Sequence, residues 1–514
     1  MKNIIIGLFA SLFLVFSAVA QQALSEDIVF KIKREAFQSS QMESLAFFLT
    51  DFAGPRLAAS KLAERAEILS KEKLEEMGFS NVRIEYAADF PRGGWDNHKT
   101  YAAMTAPYYA NFAALPRAWT GSTNGLVSGE VILLDVRTMD DIAKYRGRLA
   151  NRIVLMPETQ RYEVRFTPFA TRFTDEELEE LSVDPRPLPD PRPYSAAQPP
   201  NPLTVQLQQA MRALLAEEKP AVIISGGGTF NVTRSLSNNY RAGEPEPVAE
   251  LTLPVEAHGR MVRLINRNIP VSMDVEIKNE FYDNRVINNV FAEIPGTDPR
   301  LREEIVLIGG HLDSWHGGTG AADNASGCVV MIEALRIIKE TGVRPRRTIR
   351  LALWGGEELG LIGSRGYMQN VLYDVSENRP RRGYEQFALY LNMDNGSGKF
   401  RGIFLEENDM AFPFFREWIK PMETIGFEVL SPRKTGSTDH VIFDRIGLPA
   451  FQFIQDELEY WRSFHTVMDT YERLVISDLQ YNAAVVAILA LSAAMDNGKI
   501  PPKPLPTGFS MQAR

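Results

Sequence analysis

Sulfur ligands are nearly missing from this sequence of 514 residues: with Cys328 as its only cysteine, it can build neither an internal disulfide nor a thiolate metal site. Cys328 itself lies in the apolar run CVVMIEAL and reads as a small buried hydrophobe. Histidine is scarce too, at six residues: His98, His258, His311, His316, His440 and His465. Basic blocks are absent. The formal charge is -9, one unit more negative once Lys2 leaves with the leader described below, which argues against nucleic acid or an anionic membrane surface as partner. A peptide or small molecule is the expected substrate. After the first residues, no run is expected to be long and apolar enough to span a bilayer.

The chain opens MKNIIIGLFASLFLVFSAVAQQ. One positive charge, an apolar run of roughly 13 residues, short of the ~20 that cross a bilayer, and small residues at Ala18 and Ala20 predict a signal peptide over 1–20. Cleavage after Ala20 would leave an exported protein, periplasmic or extracellular, that relies on its core or on metals for stability.

Three textures follow. The stretch SKLAERAEILSKEKLEEMGF (60–79) has helical apolar spacing and a glycine stop. From 118 to 265, short β-rich runs (GEVILLDV, RIVLMPE, AVIISGGG) alternate with polar turns, and a proline-dense loop spans 184–202. This region reads as an inserted β-rich domain. Beyond it, strand and helix patterns alternate: strands over 304–310, 348–354, 387–394 and 450–456, with a helix of about 15 residues from Ser326 between the first two. The predicted fold class is α/β, with a mixed, mainly parallel central sheet flanked by helices. Its domain would be discontinuous, over 21–117 and 266–514.

Polar residues cluster at the carboxyl ends of these strands, the edge where open α/β sheets bind ligands. His311 and Asp313 follow the first strand, Glu357 and Glu358 the second, and Asp394 ends the third. Any one of them alone is as well explained as a turn former or cap; three consecutive strands are not, because histidine and paired glutamates are not turn residues. Asp323, Glu357, Glu358 and Asp394 in one cleft would repel one another, and two divalent cations remove that cost. Without thiolates, imidazole and carboxylate suit zinc, so His311, Asp323, Glu358, Asp394 and His465 are the expected ligands of two Zn2+ ions. Glu357 stays free as general base and acid, and Asp313 is placed to accept a hydrogen bond from the His311 imidazole.

GGHLDSW (309–315), GAADNASG (320–327), WGGEELGLIGS (354–364), NMD (392–394) and FHTVMDT (464–470) resemble, in order and spacing, the co-catalytic zinc exopeptidases of clan MH. GPRLAASKLAERAEILSKEKLEEMGF (54–79) resembles that family's amino-terminal helix. The resemblance implies the zinc exopeptidase fold, and Asp323 bridging both zincs. His311 and Asp394 would complete one metal, Glu358 and His465 the other, around a bridging hydroxide. The 118–265 region is similar in texture and position to the family's protease-associated insert. Many members place tyrosine directly before the last histidine; here Phe464 stands there, and Tyr460 is the candidate to steady the oxyanion. Phe-His-Thr is similar to the plasma-type glutamate carboxypeptidases.

GSTDHVIFDRIGLPAF (436–451) resembles the segment beside the family's substrate pocket, where Asp439 and His440 either shape the pocket or start a capped helix. Arg433, Arg445 and Arg462 are candidates for a substrate carboxylate. Cleavage from the amino or the carboxyl end stays open. Two other functions exist on this fold, a single-zinc glutaminyl cyclase and a non-catalytic receptor-like scaffold; the first leaves part of the five-ligand set unexplained, the second would have lost ligands. His98, His258 and His316 read as surface or structural.

Overall fold

The computed structural model describes residues 24–157, 162, 164–186 and 202–505. The leader over 1–20 lies outside them, as does most of the proline-rich loop. The predicted helix is Lys61–Glu76; the Ser60 hydroxyl accepts the Ala63 N–H at its start, and Gly78, at φ 72°, follows its end.

The main sheet is mixed and eight-stranded. In spatial order its strands are Ser80–Asp89, Val286–Ile294, Thr348–Trp354, Ile305–His311, Phe387–Asn392, Ala450–Gln455, Phe400–Phe404 and Val429–Ser431. The central four are parallel, with antiparallel neighbours on both sides. Period-two alternation explains why helices cover both faces. Val306, Ile308, Leu351, Leu353, Leu389 and Leu391 point into one core with helices Glu26–Gln38, Ser326–Glu340 and Ile476–Met495. Leu307, Ala352, Trp354 and Tyr390 point into the other, where Phe443 and Ile446 cover them.

One expectation fails at Ile476–Met495, a helix of 20 residues with mean hydropathy 1.4, long and apolar enough to cross a membrane. Its apolar character has another use here: 78% of that stretch is buried in the larger core.

A second eight-stranded sheet runs Ala110–Asn111, Gly94–Ala106, Ser272–Tyr282, Val127–Leu133, Ile153–Leu155, Val222–Gly226, Glu250–Leu253, Leu115–Pro116. It reaches past both boundaries expected at 118 and 265. Gly94–Ala106 and Ser272–Tyr282 pair antiparallel almost end to end, and Ala102, Met104, Met273, Val275 and Ile277 share one apolar cluster with Ile153 and Ile224. The chain therefore enters and leaves this sheet on long paired strands rather than at its polar turns.

Candidate metal centre

Strand register sets the site. His311 ends its strand opposite Trp354, and Gly309 lies opposite Asn392, so the chain beyond all three strands emerges on one edge. After Trp354 the chain turns through Gly356, at φ 67°, into the short helix Glu357–Leu359. Asp323 is carried by the loop before helix Ser326–Glu340, entered through Gly320 at φ 59°, where a Cβ would lie 2.3 Å from that of Ser314. Left-handed backbone with no room for a side chain requires glycine there.

All six expected metal and acid/base residues meet. His311 Nε2 lies 3.2 Å from Asp323 Oδ1, 3.5 Å from Asp394 Oδ1 and 4.0 Å from Glu357 Oε2. His465 Nε2 lies 3.3 Å from Asp323 Oδ2 and 2.8 Å from Glu358 Oε2. The two oxygens of Asp323 thus face two different histidines. Donor atoms converge in two groups, His311–Glu357–Asp394 and Asp323–Glu358–His465. Glu357, expected to stay free for proton transfer, is itself one of the donors of the first group.

The surroundings are buried; His311 is 1% and Asp323 4% exposed. His311 Nε2, Asp323 Oδ2 and Glu358 Oε1 are enclosed with no hydrogen-bond partner. Buried polar atoms without partners are costly, and divalent cations are the partners this nitrogen and oxygen donor set fits. Burial pushes the Glu357 carboxyl well up, Asp394 and Glu358 adding to it against His311. Burial, with Asp323 beside it, lifts Glu358 to about 7. Burial works against charge on the imidazoles, yet carboxylates prevail: Asp394 and Glu357 raise His311 well above its ordinary value, and Glu358 and Asp323 raise His465 to about 9. Asp323 is also opposed by burial, but His311 and His465 hold it below the usual carboxylate range.

Asp313 plays a different part from the one expected. The close acceptor near His311 Nδ1 is the Asp313 carbonyl, at 2.9 Å, with the carboxylate at 3.6 Å. That carboxylate accepts the backbone N–H groups of Glu357 at 3.0 Å and Glu358 at 3.3 Å. Its strand-end position turns it toward the neighbouring loop, where it holds the paired glutamates.

Three contributors went unassigned in the sequence although all three lie inside the motifs named for the resemblance. Asp469, in FHTVMDT, accepts the N–H groups of Ala322 at 2.6 Å and Asp323 at 3.0 Å. Trp315, in GGHLDSW, donates its indole N–H to Glu358 Oε2 at 2.8 Å. Arg56, 1% exposed, donates to the carbonyls of Leu49, Gly54, Leu312, Thr319 and Gly320, tying the loops of His311 and Asp323 together. Asp439 makes no capping bond to the helix after it; buried near His311 and Asp394, it is raised to about 7, chiefly by burial. His440 is buried against Glu406 and Thr435. Burial holds the Tyr460 phenol well above its ordinary value, and Asp323, Asp394 and Glu358 push it further.

Of the candidate arginines, Arg433 is buried against Glu180 and Asp184, Arg462 pairs with Glu459, and Arg445 is exposed. His98 is a half-exposed partner of Glu280. His258 is buried and His316 half-buried, each within 3.0 Å of a backbone carbonyl, those of Met156 and Pro116.

Residues 289–490 match the family model described as Peptidase family M28. Carboxypeptidase Q of Mus musculus is 26% identical over 464 residues, covering 89% of this chain and 86% of the relative. Aminopeptidase YwaD of Bacillus subtilis (strain 168) is 31% identical over 232 residues, 44% of this chain and 49% of the relative. Among solved structures, a Peptidase M28 precursor from Shewanella amazonensis SB2B shares the fold at TM-score 0.65 and 24% identity, covering 93% of this chain and 98% of its own. BSAP, a zinc aminopeptidase from Bacillus subtilis, does so at TM-score 0.54 and 17% identity, over 90% and 98%. The match to Peptidase family M28 falls on the strands that carry the site, and the chain is similar to a peptidase along nine-tenths of its length.

Proposed function

We propose that this protein is an exported exopeptidase that hydrolyses peptides or dipeptides with two zinc ions, held by His311 and Asp394 on one side, Glu358 and His465 on the other, and Asp323 between them. The observation that carries the reading is Asp323: each of its oxygens faces a different histidine inside a pocket of buried, unpartnered donor atoms. Such a pair of ions, when bound, acidifies water and polarises a carbonyl.

The protein's own groups do the rest. Glu357 takes a proton from the attacking water and delivers it to the leaving amine, a role its strongly raised affinity for protons suits. Asp313 holds Glu357 and Glu358 by their backbones, and Trp315 fixes one oxygen of Glu358. Phe464 cannot donate a hydrogen bond; its ring stacks on His465 at 3.5 Å. Tyr460, still protonated at working pH, supplies the hydroxyl for the developing oxyanion.

Likeness to Carboxypeptidase Q along most of the chain supports attack from the carboxyl end. A dipeptide panel with either terminus blocked tests this: amidating the carboxyl terminus should abolish cleavage, and blocking the amine should not. The opposite pattern makes the enzyme an aminopeptidase. Metal counting on purified protein should give two zinc ions per chain; one would favour the cyclase reading. The β-rich sheet between the two stretches of the peptidase domain is read as a protease-associated module, and the leader as a signal peptide.

A further inference from the structure

His465 holds its backbone at φ 57°, the left-handed region that a non-glycine residue occupies only where its surroundings impose it. The restraint comes from the other sheet's domain. Ser235 N–H donates to the His465 carbonyl at 2.7 Å, and Val467 N–H donates to the Thr233 carbonyl at 3.1 Å, a two-rung antiparallel bridge with the metal-facing histidine at one rung. The opposite edge of the same segment is fastened within its own domain. Ala118 N–H donates to Leu236 O and Asn238 N–H to Ala118 O, both at 2.9 Å, while the Thr233 hydroxyl donates to Ala113 O at 2.6 Å.

The other metal-bearing loop closes on this bridge. His316, two residues from Ser314 and held neutral by burial, donates to Pro116 O at 2.8 Å. A Cβ on Gly317 would stand 2.6 Å from Ser235 Oγ, and one on Gly318 2.5 Å from Asp469 O. Segment 233–238 is therefore wedged between its own sheet and the His465 loop, which in turn reaches Asp323 through Asp469.

From this geometry we infer that Thr233–Ser235 is a positioning element of the metal centre: the second domain aims His465, and the Asp323–Glu358–His465 group is complete only while the two domains stay bridged. The inference rests on the two-metal reading above. Its consequence is reciprocal: a domain that orders a metal group must itself be ordered when metal binds there.

Two measurements test it on the full chain. In the native protein, stripped of metal and then loaded with zinc, amide hydrogen exchange should slow both in 462–470 and in 230–238, although no residue of the latter is a ligand. In zinc titrations, Ser235→Pro, which deletes the donor of the first rung, should weaken one of two binding steps by roughly tenfold and leave the other within a factor of about two; Ser235→Ala, which keeps the N–H, should restore the native pair of steps. If zinc slows exchange in 462–470 but not in 230–238, the inference is wrong while the two-metal reading stands. If both steps of Ser235→Pro equal those of the native chain, it is equally wrong. Absence of any zinc binding to the native chain overturns both. Should Ser235→Pro fail to fold, the exchange experiment alone decides.

Discussion

Glu357 and Glu358 are chain neighbours whose side chains join different groups of donors, because a short helical turn sends them apart. Glu357→Gln keeps the shape and the backbone bonds to Asp313 but removes the titrating oxygen. Hydrolysis should fall by ~100-fold or more, while both zinc ions and the melting temperature are kept; native turnover in the variant would remove Glu357 from proton transfer. Tyr460 makes a separate claim. Its ring packs 5.5 Å from that of Phe464, so Tyr460→Phe preserves packing and deletes only the hydroxyl. The expected loss is about 10^2-fold in kcat with KM little changed, and an effect confined to KM would assign the hydroxyl to substrate binding instead.

Strands and turns decide how these residues meet. The turn bearing the two glutamates hangs from the Asp313 carboxylate by two N–H bonds, so Asp313→Ala should weaken zinc binding by about 10- to 100-fold, measured by competition with a chelator. An unchanged affinity would mean that Gly356 and the strand end hold the turn unaided. Gly310, one residue before His311, has Met393 O at 2.9 Å and Asn324 Nδ2 at 3.0 Å from where a Cβ would stand. Gly310→Ala should therefore cost roughly 1–3 kcal/mol of stability in denaturant unfolding, since the segments of His311, Asp323 and Asp394 are packed around that point.

Elements of this kind were readable from the chain alone where one strand carries its own pattern. TIRLALW is the strand Thr348–Trp354, and the helix from Ser326 runs 15 residues to Glu340. The candidate residues His311, Glu358 and Asp394 were legible for the same reason, lying at or just past strand ends within local motifs. Pairings between distant segments were not: nothing local in Gly94–Ala106 announces Ser272–Tyr282 as its partner, and the role of Asp313 depends on which neighbour its strand acquires. Asp469 stood in plain view, but its partners lie almost 150 residues away.

At the scale of the molecule, the centre couples stability to pH and to metal. In the metal-free fold, Glu358, Asp439 and Asp469 each rise to about 7, burial being the main cause. His465 rises to about 9 despite burial, through Glu358 and Asp323. Each of these groups binds its proton more tightly folded than unfolded. The stability they contribute is complete below the unfolded values and is lost as pH rises through the folded ones. Carboxyls act between the ordinary carboxylate range and about 7, imidazole between its ordinary value and about 9. Asp323, held low by its two histidines, has the opposite sign and acts only in acid, outside this window. Chelator-stripped protein should accordingly melt at falling temperature from pH 5 to pH 9. Bound zinc would displace the protons of Glu358 and His465 and lower the proton affinity of nearby Asp439 and Asp469, and a ligand at 100 times its Kd adds about 2.7 kcal/mol to stability, so the zinc-loaded protein should melt higher, by a margin that widens across the same range. Scanning calorimetry of both forms at pH 5, 7 and 9 measures that margin. If it is constant, or shrinks toward alkaline pH, the crowded carboxylates are not relieved by metal, and the electrostatic basis of the two-ion centre fails.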